Sequence, residues 1–167
     1  MAIDRSLIKA YVVNKGTTDL SVYNLKRGSQ LPEQVIIGVV PQESYNGGID
    51  KDPFNFKHFD IREASLVVNG ENEPVELYKL DLLTGDKVDM IATFLDNTGV
   101  HADDEREFGI SLNDYYGGSF LIAWDRTPDN FNRYHRHRMD SGAIDINIKT
   151  GTPKRDSYSN CLCNMFF

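Results

Sequence analysis

A chain of 167 residues is long enough to bury one sizeable core and too short for two domains of ordinary size, and its 40% hydrophobic, 11% aromatic and 26% charged residues describe a folded, soluble protein. A net charge of −7, from 25 acidic against 18 basic residues, disfavours sequence-independent binding to nucleic acid. No apolar stretch approaches the length of a membrane span, and Met1 to Ala10 lacks the basic start and apolar run of a signal peptide, so neither membrane insertion nor secretion by the usual route is expected.

The first element expected is a strand from Ser6 to Val13, β-branched and aromatic, ending at Asn14-Lys15-Gly16. A second runs from Leu20 to Leu25 and turns at Lys26-Arg27-Gly28-Ser29. Val35, Ile36, Ile37, Val39 and Val40 then form an apolar run without polar alternation, the pattern of a strand covered on both faces. It ends at Pro41, which cannot donate to a ladder. After a Gly47-Gly48 loop, Pro53 sets up an extended Phe54-Asn55-Phe56 segment whose two rings are expected to point the same way.

A hairpin joins Ile61 to Val68 with Val75 to Leu80 through Asn69-Gly70-Glu71-Asn72, because Asn-Gly supplies the positive φ angles of tight hairpins. Ala64, Leu66 and Val68 should face the core. One helix follows, with Thr84 as cap, Asp86 in the first turn, Val88, Ile91, Ala92 and Leu95 as its apolar face, and Asn97 to Gly99 as its end. The acidic stretch Asp103-Asp104-Glu105, with Glu107, reads as a solvated loop. Ser111 to Tyr116 reads as a short helical turn before Gly117-Gly118.

Phe120 to Trp124 forms a strand with Phe120, Ile122 and Trp124 on one side, closed by turn chemistry at Asp125-Arg126-Thr127-Pro128-Asp129. Beyond a polar loop through Arg138 comes the cleanest alternation, Ile144, Ile146 and Ile148 inward with Asp145, Asn147 and Lys149 outward. The last strand, Ser157 to Phe167, puts Cys161, Cys163, Met165 and Phe167 on one face. Cysteines two apart on one strand do not readily meet disulfide geometry, so these two read as small hydrophobes in a reducing compartment. An apolar ending at Met165-Phe166-Phe167 reads as part of a longer chain or as covered by a neighbour. About eight strands with one short helix in a connecting loop make an all-β sandwich of jelly-roll type, with a barrel as the alternative.

Chemistry is thinly signalled. His135 and His137 would share a face, but Arg133, Arg136 and Arg138 crowd them with charge that repels a cation, so a basic surface loop reads better than a metal site. That loop is open to contact with nucleic acid or with the Asp103 to Glu107 stretch of an adjacent copy. Asp50 and Asp52 near Glu43 match no calcium-loop spacing. Gly47-Gly48 and Gly117-Gly118 lack the strand-to-helix context of a phosphate cradle, and no nucleophile elbow or Cys-x-x-Cys set is present. Trp124 and the tyrosines are candidates for a sugar-binding face. No catalytic, cofactor-binding or metal residues are assigned, and the protein is expected not to be an enzyme.

Several motifs occur in a telling order: Leu31-Pro32-Glu33-Gln34-Val35-Ile36-Ile37-Gly38, Asn46-Gly47, Asp52-Pro53-Phe54-Asn55-Phe56-Lys57-His58-Phe59 and Val68-Asn69-Gly70. Asn113-Asp114-Tyr115-Tyr116-Gly117-Gly118-Ser119-Phe120, Trp124-Asp125-Arg126-Thr127-Pro128-Asp129 and Ser141-Gly142-Ala143-Ile144-Asp145-Ile146 follow. From about residue 20 to about residue 160 this succession resembles the C-terminal jelly-roll region of the major capsid protein of Maverick/Polinton elements and their adintovirus-like relatives. That family is similar to the double-jelly-roll capsid lineage, in which two sandwiches stand side by side and three subunits form a capsomer. The resemblance implies that residues 1–167 are one jelly roll of a longer virion protein, assembled in the host cytoplasm or nucleus. Its partners would be copies of itself, as a homotrimer or larger assembly, and other capsid proteins, with no cofactor. Loops Gln42 to Asp52 and Asp125 to Arg138 are the expected intersubunit contacts. The alternative is a soluble jelly-roll module binding a carbohydrate or a receptor through loops near Trp124, and a sandwich hydrolase using Asp50 and Asp52 ranks below both.

Overall fold

The protein is described here from a computed structural model covering residues 7–14, 16–73, 78–80, 87–99, 109–127, 141–151 and 161–166, with the backbone alone for 24–29, 87 and 161–166. Its strands are β1 (Ile8–Val13), β2 (Asp19–Gln30), β3 (Gln34–Pro41), β4 (Ile61–Val68), β5 (Glu71–Asn72), β6 (Tyr78–Lys79), β7 (Leu121–Asp125), β8 (Ser141–Thr150) and β9 (Cys161–Phe166). Helices α1 (Gln42–Tyr45), α2 (Lys87–Thr98) and α3 (Leu112–Gly118) lie in the connections.

The strands form two antiparallel sheets, β1-β9-β3-β7 (sheet A) and β2-β8-β4-β5, with β6 also on β4 (sheet B). β5 lies opposite Val67 and Val68, and β6 opposite Glu63 and Ala64, so the two serve as one interrupted strand beside β4. The chain therefore pairs with itself from its two ends inward: β1 with β9, β2 with β8, β3 with β7, and β4 with β5 and β6. Wrapping that long antiparallel ribbon into two layers, closed by β9 on β3 and β8 on β4, gives a jelly roll.

Period-two alternation fills the space between the sheets. Ile144, Ile146 and Ile148 of β8, Ala64, Leu66 and Val68 of β4, and Phe120, Ile122 and Trp124 on and beside β7 are all buried in one core, as their spacing predicts. Asn69 at φ 54° and Gly70 at φ 91° make the two-residue turn of the β4–β5 hairpin with both residues left-handed. Asn69 also accepts the amide of Ala143 on Oδ1 at 2.9 Å, which ties the turn to β8.

β3 is covered on both sides. Val35, Ile37 and Val39 enter the core between the sheets, whereas Val40 joins a smaller outer cluster with Phe56 and Leu121. Gly38 makes that cluster possible: a Cβ there would stand 2.6 Å from Phe56 Cδ1 and 2.6 Å from Leu121 Cδ2. Phe56 is stitched in place by its amide to the Gly118 carbonyl at 2.7 Å and by Lys57 N–H to the Val39 carbonyl at 3.0 Å.

Four expectations are corrected. Lys26 to Ser29 is not a turn; β2 runs on to Gln30 and absorbs the irregularity as register shifts against β8. Phe54 and Phe56 do not point the same way: Phe54 is 74% exposed and Phe56 is buried, because Asp52 Oδ1 accepts the Phe54 amide at 2.8 Å and folds the segment into a turn. On α2, Val88 is exposed while Met90 and Leu95 are buried and Ile91 and Phe94 pack on the core, so the apolar face is rotated from the expected one. Among the described residues the short helix α1 stands where only a loop was expected, while the helical turn expected at Ser111 to Tyr116 is α3. Ser111 does cap α3, accepting the Asp114 amide at 3.2 Å. Thr84, Asp86 and Val75 lie outside the described residues.

Candidate interaction surfaces

Among the described residues the outer sides of the two sheets differ in their balance of polar and apolar side chains. Along the outer row of sheet B, Glu63 meets Lys149 with an N–O distance of 2.8 Å, Ser65 lies opposite Asn147, and Ser21 and Asp19 continue the row on β2. The hydrogen bond that Lys149 donates to Glu63, followed by the charge of that carboxylate, raises the Lys149 ammonium above its ordinary value. Most of this outer row is polar and cross-strand paired, with Tyr23 of β2, 67% exposed, as its large apolar exception and Val67 of β4 half-buried opposite Asp145.

Among the described side chains, sheet A shows no such row on its outer side. β1 places Tyr11 and Val13 against the core and leaves Ile8, Ala10 and Val12 exposed, Ile8 at 61% and Val12 at 55%. Beyond β3, the loop holding α1 exposes Tyr45, Ile49 and Phe54, with Ile49 wholly solvated, before it returns through Phe56. Of eight large apolar side chains exposed among the described residues, six belong to β1, its neighbour Leu7 or this loop. Scattered single exposures are ordinary; clustering along one sheet and its loop is what marks an interaction surface. Its charged residues are weakly engaged, since Glu43 and Lys51 approach only to 4.0 Å and both are well exposed.

The other concave feature is a polar cleft of about 280 Å³ at the β4–β5 turn, lined by Asn69, Glu71, Asn72, Glu73 and Arg126 among others. Arg126 is nearly buried there and already committed, donating to Glu73 Oε2 and to the Pro32 carbonyl, both at 3.0 Å. It is an anchor joining the end of β7 to the chain before β3, and among the described residues that line the cleft there is no nucleophile with an adjacent base.

The residues singled out in the sequence are not drawn together. Asp52 caps its own turn, and Glu43 faces Lys51. Among the described residues no three His, Cys, Asp or Glu side chains assemble in a way that would hold a metal. Trp124 is buried and stacked on Tyr78 with ring centroids 5.5 Å apart, so it offers no platform to a sugar. Within the Asp125 to Arg138 loop, Asp125 accepts the amide and hydroxyl of Thr127, at 2.9 and 2.7 Å. Arg133, His135, Arg136, His137, Arg138 and the Asp103 to Glu107 stretch lie outside the described residues. In β9 the register sets Cys163 opposite Val39 and Met165 opposite Ile37. The expected Gln42 to Asp52 contact loop coincides with the exposed apolar tip. Tyr45 and Ile49 were not singled out and Phe54 was expected beside Phe56; the signal of all three was an apolar residue recurring in a Gly-, Asp- and Pro-rich loop with no strand to alternate in.

No family model matches the chain. The chain is similar to the uncharacterized protein F54H12.2 of Caenorhabditis elegans, at 22% identity over 157 residues, covering 92% of this chain and 37% of that protein. It therefore spans little more than a third of that relative's length. No helix among the described residues is long and apolar enough to cross a membrane.

Proposed function

We propose that this chain is a structural, self-assembling jelly roll of the capsid type, resembling one jelly roll of a Maverick/Polinton major capsid protein. The observation that carries the reading is the contrast between the outer faces of the two sheets. A jelly roll whose sheet B turns mainly polar pairs outward, Tyr23 excepted, and whose sheet A carries Ile8 and Val12, with Ile49 and Phe54 on the loop that follows β3, has its exposed apolar side chains gathered where another protein surface can cover them.

Magnitudes shape the form of the assembly. Burying the part of each apolar side chain still in water contributes on the order of 1 kcal/mol, while association costs at least about 4 kcal/mol in lost rigid-body freedom. One such contact is weak, so closed oligomers in which each copy makes two contacts are favoured over isolated dimers. The carbohydrate- or receptor-binding alternative loses its aromatic platform with Trp124 in the core.

Sedimentation velocity of the whole chain across the micromolar range tests the reading. The expected result is a trimer or larger species that grows with concentration. A strict monomer at every concentration would overturn it.

A further inference from the structure

The edges of the two sheets are protected unequally. β5 and β6 are two residues each, β2 is broken by register shifts, and the edge at β7 is packed by α2, with Asn97 Nδ2 on the Ala123 carbonyl at 2.8 Å. These are the ordinary ways in which an edge strand is kept from pairing with another chain. β1 has six residues in unbroken register with β9, no proline and no bulge, and no described strand on its other side.

We infer that the free edge of β1 pairs antiparallel with β1 of a second copy about a two-fold axis at Ala10, joining the two A sheets into one. The sequence of the strand specifies that occupant. With Ala10 opposite Ala10 of the second copy, Leu7 falls opposite Val13, Ile8 opposite Val12, and Lys9 opposite Tyr11, so all seven residues from 7 to 13 are matched. The exposed row Ile8-Ala10-Val12 then continues across the axis as one apolar face, its side chains meeting in cross-strand pairs. Moving the axis to Lys9 would set two ammonium groups face to face, and a one-residue slip would turn the apolar row to the other side of the joined sheet. Lys9, the one charge on the strand, therefore disfavours an axis at its own position, and the axis at Ala10 is the one that matches all seven residues.

This inference rests on the self-assembly reading, and disulfide trapping of the full chain separates the two. In a Cys161→Ala/Cys163→Ala background, Ala10→Cys is expected to form a disulfide-linked dimer on mild oxidation. Ile8→Cys alone is not, because two copies of residue 8 would stand roughly 14 Å apart at about 3.4 Å per residue. A mixture of Ile8→Cys and Val12→Cys chains should again cross-link. Ala10→Lys, at an exposed position, should weaken self-association by at least about tenfold, since like charges directly opposite repel. Association of the parent chain with no Ala10→Cys cross-link and no effect of Ala10→Lys would overturn the β1 pairing while leaving self-assembly in place. No association of the parent chain would remove both.

Discussion

Tyr115 lies wholly inside the core and donates its hydroxyl to the Leu121 carbonyl at 2.5 Å, with Tyr116, Phe94 and Phe120 rings around it. Burial, then the neighbouring Tyr116, push its hydroxyl far above the ordinary tyrosine range. For Tyr116, burial and then the charge of Asp89 push it up to about 12. Both groups gain a proton-binding advantage in the folded state, so their contribution to stability is complete below the unfolded value of about 10 and is lost as pH rises through the folded values. Urea midpoints should hold from pH 8 to about 10 and fall between about pH 10 and 12, with phenolate absorbance from Tyr115 appearing only on unfolding. A midpoint unchanged at pH 11.5 would contradict the burial of this pair. Core tyrosines of this kind were visible in the sequence only as aromatics at apolar positions. Nor was the turn at His58 to Ile61 visible, where Phe59 at φ 42° and Asp60 at φ 52° adopt left-handed backbone with no glycine to signal it. The separate fates of Phe54 and Phe56 were hidden for a similar reason, since they depend on Gly38, distant in sequence, lacking a Cβ.

At the level of elements, α2 is fastened by one residue as much as by its apolar face. Asn97, in the last turn, donates Nδ2 to the Tyr78 hydroxyl and to the Ala123 carbonyl, both at 2.8 Å, and its own carbonyl accepts Gln34 Nε2 at 2.8 Å. Those contacts bind the helix to β6, β7 and β3 together. Asn97→Ala removes the two side-chain bonds and should cost about 1–3 kcal/mol by chemical denaturation. A loss within about 0.5 kcal/mol, the usual range for a surface change, would show that apolar packing alone seats the helix. Helix existence and end were legible from Val88-to-Leu95 periodicity and Asn97-to-Gly99, yet the buried face was so only in part, since Ile91 and Leu95 turn inward as expected while Val88 is exposed. Its rotation follows from where β7 and Tyr115 stand, with Met90 and Phe94 turned inward against them. The centre of the hairpin at Asn69-Gly70 was legible, because the backbone angles it needs are a property of those two residues alone, whereas Glu71-Asn72, expected in the turn, already pair with β4 as β5.

For the molecule as a whole, alternation in β4, β7 and β8 announced two facing layers, and the strand pairing from the chain ends inward makes them a jelly roll. What alternation leaves undetermined is the chemistry of each layer's outer side. The outer row of β1 reads as apolar in sequence, but whether it meets water or protein depends on β1 lying at the end of sheet A, which is settled by pairing with a strand some 150 residues away. The candidate surface was half legible: the Gln42 to Asp52 loop was expected as a contact, whereas the β1 edge was not. Concentration-dependent hydrogen exchange reads that surface most directly. Raising the chain from dilute to concentrated solution should slow exchange at Ile8–Val13 and across residues 42–56 while β2 and β8 stay unchanged. Slowing confined to sheet B, or none anywhere, would contradict an assembly built on sheet A.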